Sequence, residues 1–364
     1  MRIDIVTNQR IVFGRGVASE AVSIARTLGR RALLVTGGDA DRYSRLERDL
    51  KPAAVFRVRG EPSIDDARQA ADSAKAAGCD SVVACGGGSA LDLGKAAAAL
   101  ASNPGGVMDY IEVVGRGMAL DFPALPVLAM PTTAGTGTEA TRNAVLQSPQ
   151  HGVKASLRHA SMAPAVALVD PELTLTAPPD VTAATGLDAL TQLIEPFVSV
   201  KANSFTDPLC AEGIHLAAVA LPRLFKNGSD IEARTMMSLA SLFGGVCLAN
   251  AGLGAVHGLA APIGGMFGAP HGAVCAAVLP HGIEVNRAVL DKDHPAASRY
   301  RLIEKWVDAA GLVRQSGVPG LRAYGIKERD FAGIAEKASQ ASSMKANPVG
   351  LSIDQLCAIL HAAF

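Results

Sequence analysis

Short apolar runs alternate with helical stretches through the first half of the chain. Residues 31–36 read RALLVT and stop at Gly37-Gly38. Residues 53–58, 81–84, 125–130 and 165–169 are further apolar runs, each closed by polar or turn-forming residues. Between them, 18–28, 64–77 and 91–101 carry helical spacing with few breakers. Strands that alternate with helices predict a parallel sheet covered by helices on both faces. Residues 145–157, with the polar stretch Ser-Pro-Gln-His-Gly at their centre, predict a hairpin inserted after the fourth strand.

From Pro178 the strand-like runs vanish. Long Ala/Leu-rich segments take over at 181–200, 206–225, 230–250, 252–264, 272–287, 297–310 and 352–363. The change falls at Ala177-Pro178-Pro179, where proline restricts the chain before it. The expected organisation is therefore α/β plus all-α. Residues 1–177 are expected to form an α/β domain on a parallel sheet, and residues 178–364 an all-helical domain.

Composition narrows the function. A chain of 364 residues has room for about two domains. Its 34 basic and 34 acidic residues cancel, and no basic stripe marks a nucleic-acid surface. The apolar runs are interrupted before membrane-spanning length. The opening MRIDIVTNQRIVFG lacks an apolar signal core. Cys79, Cys85, Cys210, Cys247, Cys275 and Cys357 form no CxxC pair. Reduced, mostly buried thiols in a cytoplasmic protein are expected.

Two glycine-rich turns carry the first chemical signal. Gly86-Gly87-Gly88-Ser89 follows a strand and opens a helix. Glycines there let backbone approach a phosphate, and the helix offers free N–H groups. The spacing matches neither GxGxxG nor GxxxxGK[ST], so a plain tight turn is the competing reading. After the next strand comes Pro131-Thr132-Thr133-Ala134-Gly135-Thr136-Gly137-Thr138-Glu139, crowded with hydroxyls suited to a pyrophosphate or ribose. Ligands of open α/β sheets bind at such strand ends. In the helical half, Asp188 and Gln192 share a helix face, and His257 and His271 follow. A carboxylate and two imidazoles suit a divalent metal such as Zn or Fe. Read singly, each histidine is equally well a satisfied core or surface residue.

Several motifs in one order resemble the iron-containing (group III) alcohol dehydrogenase family. GGGSALDLGK is similar to GGGSxxDxxK, and PTTAGTGTEAT to PTTAGTGSE[VA]T. DPELT, the GLDAL helix, VHG, APHG and the tail NPVGLSIDQLCAIL follow in family order. The resemblance implies a dehydroquinate synthase-like fold, with a Rossmann-like NAD(P)-binding domain over 1–177 and a helical metal and substrate domain over 178–364, and an NAD(P)-dependent oxidoreductase that interconverts a small alcohol and its aldehyde or ketone. It implies pyrophosphate binding by Gly87, Gly88 and Ser89, with Asp92 near the nicotinamide. Thr132, Thr133, Thr136, Lys154 and Leu173 would line the cofactor pocket, and Gly37 and Gly38 its adenosine end. It implies a divalent metal, Fe or Zn, on Asp188, Gln192, His257 and His271, and a homodimer. Asp92, His257 and His271 are the expected catalytic residues.

The chain departs from this pattern in three places. Gln192 stands where most members carry a metal-ligating histidine, and Ala261 where a histidine usually lies near the substrate. Gly37 takes the place of an Asp that would bind the ribose hydroxyls. Tolerance of NADP(H) is therefore expected, with Arg42 as phosphate partner; Asp39 reaching back to the ribose is the alternative. A metal-independent reductase of the maleylacetate type, a dehydroquinate synthase or glycerol dehydrogenase relative and a catalytically impaired cofactor-binding homologue are the rival functions; the PTTAGTGTE motif argues against the second of these.

Overall fold

Each of the five apolar runs becomes a strand of one parallel sheet in the computed structural model, which describes residues 3–364. The sheet is built from β1 (Arg10–Phe13), β2 (Ala32–Gly37), β3 (Ala54–Val58), β4 (Ser81–Gly86) and β5 (Val127–Pro131). The inserted hairpin pairs β6 (Asn143–Ser148) with β7 (Val153–Arg158) in antiparallel register, and β8 (Val166–Val169) completes the sheet. The six strands lie in the order β1-β8-β5-β4-β2-β3. The direction of strand succession reverses between β2 and β4. That switch point opens a crevice at their carboxyl ends, where Gly37-Gly38 and Gly86-Gly87-Gly88 lie.

Strand alternation sorts the core into two layers. Leu33, Val35, Val82 and Ala84 pack on one face, beneath α3 (Ile64–Ala76) and α4 (Gly88–Ala101). Leu34, Val83, Cys85 and Leu128 pack on the other with α1 (Ala21–Leu28). Strands buried on both faces read as continuous apolar runs, which is why the sequence betrays them. The sequence reading lacks β1 and α2 (Ala40–Leu50). β1 is a short, partly exposed edge strand. α2 fully buries only Tyr43; its apolar stripe of Tyr43, Leu46 and Leu50 is narrow, and charged residues separate its members along the sequence.

The close approach of α4 to the sheet depends on Gly94. A Cβ there would meet the Cβ of Ala84 at 2.6 Å. The next residue is Lys95, fully buried. Its Nζ donates to Thr141 Oγ1 at 2.7 Å and the Thr138 carbonyl at 3.0 Å, and pairs with Asp92 Oδ1 at 3.2 Å. Burial pushes the Glu139 carboxyl up to about 7, and the nearby Lys95 charge only partly offsets it.

After a single turn α5 (Val107–Tyr110), the remaining helices belong to the second half: α6 (Pro179–Val198), α7 (Thr206–Lys226), α8 (Ile231–Ala251), α9 (Ala255–Phe267), α10 (His271–Val289), α11 (Pro295–Trp306), α12 (Ala309–Ser316), α13 (Phe331–Ser339) and α14 (Ile353–Ala362). The stretch expected as one helix over 297–310 is two, because Asp308 caps α12 by accepting from the Gly311 amide. α13 is an addition to the expected set. By its contacts the chain falls into two units. One is Val6–Thr133 with Thr138–Thr174; the other is Leu175–Phe364 with Ala134–Gly137 and residues 3–5.

Within the helical unit α6 is buried almost all round, the mark of a central core helix. Small residues let its neighbours close on it. A Cβ at Gly186 would sit 2.4 Å from Leu221 Cδ2, and one at Gly213 2.5 Å from Leu193 Cδ2. α7 and α8, each of 21 residues, have the length and hydropathy to cross a membrane. Here they pack on α6 and on each other, burying Cys210, Ile214, Ala217 and Cys247 in the helical core.

Two stability measurements test this account. Gly94→Ala should destabilise by about 1–3 kcal/mol through overpacking, although the same change in an unobstructed helix gains up to about 1 kcal/mol. Denaturant unfolding that shows a gain would contradict the packing. For Glu139 the folded state holds its proton more tightly than the unfolded chain. The contribution is complete below the ordinary carboxyl value of 4.5 and is lost as pH rises through about 7. Glu139→Gln should therefore stabilise relative to the parent at pH 8, by up to about 3 kcal/mol, with the difference vanishing towards pH 4. A difference independent of pH would refute the assignment.

Candidate active site

The strand-end turns of the sheet unit form one candidate site by themselves. The β4 turn continues directly into α4, whose N-cap is Gly87 with no side-chain hydrogen bond. The first amides of α4 therefore face outward without an internal acceptor, as an anion site needs. Gly86 cannot carry a side chain, since a Cβ would lie 2.6 Å from that of Ala90. Ser89 is half-buried in the first turn. β5 lies beside β4 with Gly86 opposite Pro131, and the Thr132 amide donates to the Gly86 carbonyl at 2.8 Å. Thr133 is placed across from Gly87, at 3.6 Å from a Cβ built there. Thr136 falls with the helical unit, in the segment 134–137.

Tyr43 is a residue that the sequence reading passed over. Burial raises its pKa, and the neighbouring Arg42, Thr132 and Gly37 only partly offset this. A Cβ at Gly37 would meet its hydroxyl at 3.3 Å and one at Gly86 at 3.6 Å. One phenol thus stands beside the ends of β2, β4 and β5. Around Gly37-Gly38 stand two arginines. Arg42 Nη2 donates to the Leu173 carbonyl at 2.9 Å, and Arg59 Cγ lies 3.0 Å from a Cβ built on Gly38. Asp39 caps α2, accepting from the Asp41 amide at 3.1 Å.

Asp92 and Lys154 both have defined partners. Asp92 accepts from the Val145 amide at 3.2 Å and pairs with Lys95. Burial lifts its pKa despite Lys95. Lys154, on β7, pairs with Glu61 at 2.7 Å, and Gln147 on the facing strand donates to the same carboxylate at 2.6 Å. Glu61 therefore fixes the direction of the Lys154 ammonium.

A second cluster lies wholly among the helices of the other unit. α6 supplies Asp188 and Gln192, α9 supplies His257, and α10 begins at His271. The four side chains are brought together, and Cys275, one turn along α10, joins them. Asp188 Oδ1 lies 3.4 Å from His257 Nε2 and 3.8 Å from His271 Nε2. Ligand atoms of Asp188, His257, His271 and Cys275 all fall within 4.8 Å of one another. Gln192 Nε2 donates to Asp188 Oδ2 at 3.2 Å. Ala261, on α9, is half-buried. Phe197, at the buried end of α6, packs in the helical core on Trp306 at 5.4 Å.

His257 is held from behind. Its Nδ1 lies 2.6 Å from Glu195 Oε2, while Glu195 Oε1 accepts the Val256 amide at 2.7 Å. The carboxylate keeps the proton on Nδ1 and turns Nε2 toward the cluster. Burial works against charge on His257, but Cys275, Glu195 and Asp188 raise its proton affinity well above the usual imidazole value. Burial pushes Asp188 up, and His271 and His257 outweigh it to hold the carboxyl below its usual value. Asp188 Oδ1, Gln192 Oε1 and His257 Nε2 are buried without a hydrogen-bond partner. Buried polar atoms seldom stay unsatisfied. A carboxylate oxygen and an imidazole nitrogen left so, side by side, fit a cation.

Comparison with known proteins agrees with this geometry. Residues 8–171 match the family described as iron-containing alcohol dehydrogenase. Residues 182–364 match the C-terminal part of the Fe-containing alcohol dehydrogenase family. The chain is 35% identical over 370 residues to alcohol dehydrogenase 4 of Saccharomyces cerevisiae, covering 97% of this chain and 96% of the yeast protein. It is 31% identical over 376 residues to an NAD-dependent methanol dehydrogenase of Bacillus methanolicus, covering 97% of each. The crystal structure of a 1,3-propanediol oxidoreductase superposes with a TM-score of 0.89 at 30% identity, over 100% of both chains. The sheet with its two glycine turns, the buried cation-seeking cluster and these full-length matches make the chain a member of the iron-containing alcohol dehydrogenase family, an oxidoreductase acting on alcohols.

Proposed function

We propose that the protein interconverts a small alcohol and its aldehyde or ketone, using NAD(P) and a divalent metal. The observation that carries the reading is the pair of unsatisfied buried atoms, Asp188 Oδ1 and His257 Nε2, facing each other at 3.4 Å. Asp188, His257 and His271 would hold the ion, with Gln192 beside them. When bound, the ion supplies Lewis acidity that stabilises negative charge on the substrate oxygen, and the nicotinamide accepts or donates the hydride.

The protein's own groups set the stage for that chemistry. Glu195 keeps the His257 ring in one tautomer. Gln192 occupies the second oxygen of Asp188 and leaves the first free. In the sheet unit, Gly87, Gly88 and Ser89 present the amides of α4 to the pyrophosphate, and Thr132 and Thr133 add hydroxyls. Lys154, aimed by Glu61, and Asp92 serve the ribose and nicotinamide end. No histidine stands at 261, so the alcohol proton leaves through water or a ribose hydroxyl.

NADP(H) fits the adenosine end. Gly37 presents no carboxylate to repel a 2′-phosphate, and Asp39 is engaged as the α2 cap. Arg42 and Arg59 flank the turn with two cations.

Metal analysis of His257→Ala and His271→Ala tests the first part. Both should lose the divalent ion found in the parent, and alcohol oxidation should fall about 100-fold or more, the equivalent of several kcal/mol. Unchanged metal content would sink the assignment. For the cofactor, kcat/KM measured with each nucleotide should favour NADPH. Arg42→Ala should cost about 10- to 100-fold with NADPH, the worth of a charged hydrogen bond, and little with NADH. Equal losses with both nucleotides would overturn the 2′-phosphate role.

A further inference from the structure

The thiol of Cys275 stands apart from the other cysteines by its surroundings. His271 and Cys275 are four residues apart on α10 and therefore share a face. Cys275 Sγ lies 3.7 Å from His271 Nε2 and is fully buried. A buried cysteine usually behaves as a small apolar filler. This one is set among a carboxylate and two imidazoles, with all four ligand atoms within 4.8 Å. Two of the atoms facing it, Asp188 Oδ1 and His257 Nε2, are themselves buried and unpartnered. The measured separations of 3.4, 3.7 and 3.8 Å are close to the edges of a small tetrahedron. Zinc with N/O ligands at about 2.1 Å and sulfur at about 2.3 Å requires edges of about 3.3–3.7 Å.

Gln192 presents a different picture. It points its amide N–H at Asp188 Oδ2, while its own Oε1 is buried and unpartnered as well. It is a positioning residue, since it settles which carboxylate oxygen stays free.

We infer that Cys275, as a thiolate, is the fourth protein ligand of the metal, making the set Asp188, His257, His271 and Cys275. This rests on the metal reading proposed above and names its donor set. Charge supports it: in a buried site a dication is best balanced by two anions, and the carboxylate and thiolate supply them. Binding then releases the thiol proton to solvent as the sulfur–metal bond forms. A thiolate donor shifts preference from hard ions towards zinc, with cobalt as its spectroscopic stand-in. A substrate oxygen would enter as a fifth donor, a coordination number zinc reaches in catalysis.

Cobalt(II) titration of the metal-stripped full-length protein tests the inference. The parent should bind one equivalent and develop a near-ultraviolet sulfur-to-cobalt charge-transfer band. Cys275→Ser should lack that band and bind cobalt at least 10- to 100-fold more weakly, the loss already seen when a supporting residue is removed from a metal site. Cobalt bound by the parent without the band would overturn the thiolate ligand while leaving the metal reading intact. A band that persists in Cys275→Ser would overturn it too. No cobalt uptake by the parent would instead overturn the metal reading and this inference with it. Should the variant not fold, the parent spectrum decides alone, because the band requires a coordinated thiolate.

Discussion

A single buried carboxylate organises the helical unit. Glu195 has almost no exposure to water, and an ionised group so placed must find donors within the protein. It finds two at the start of α9, the Val256 amide and His257 Nδ1. The positive end of a helix favours such an anion. Because Asp188, Gln192 and Glu195 recur at helical spacing, one face of α6 brings Asp188 to the cluster together with the group that holds its second oxygen and the group that orients His257. α10 completes the arrangement only because Gly272 lets its first turn close on α6, where a Cβ would lie 2.6 Å from the Ala184 carbonyl.

The sheet unit solves a different problem with similar means. Its turns must stay open to a ligand, yet three strand ends must keep a fixed spacing. Tyr43 meets both needs, since its ring is buried on the sheet while its hydroxyl stands beside Thr132 and Gly37. Lys95 does comparable work beneath α4. It bonds the backbone and side chain of the chain after β5 and neutralises Asp92.

Four of the strands were legible because parallel strands covered on both faces are unbroken apolar runs, and the edge strand β3 keeps enough of such a run to be read although only Val58 is buried. The glycine turns were legible because they end such runs. β1 was hidden because it is a short, exposed edge, and α2 because its few apolar residues stand singly among charged ones. Asp188, His257 and His271 were readable from residue type and motif order. Cys275 was hidden behind the search for paired cysteines, and its position one turn after His271 was the available signal. Glu195 and Lys95 sat inside quoted motifs without assigned roles, since burial is what gives each its importance, and burial is a property of the fold.

Asn347 shows how the site depends on distant chain. Its side-chain oxygen accepts the Ala255 amide at 3.0 Å, and its nitrogen donates to Asn286 at 2.7 Å. The helix that carries His257 thus has its first turn anchored by a residue 92 positions further along. Chains emerge from the ribosome amino end first. The glycine turns can form early in synthesis, whereas the histidine helix lacks one of its two anchors, the other being Glu195, until Asn347 has been made. A ribosome-bound chain stopped before that point would carry all the ligand side chains and still lack the finished cradle that presents them.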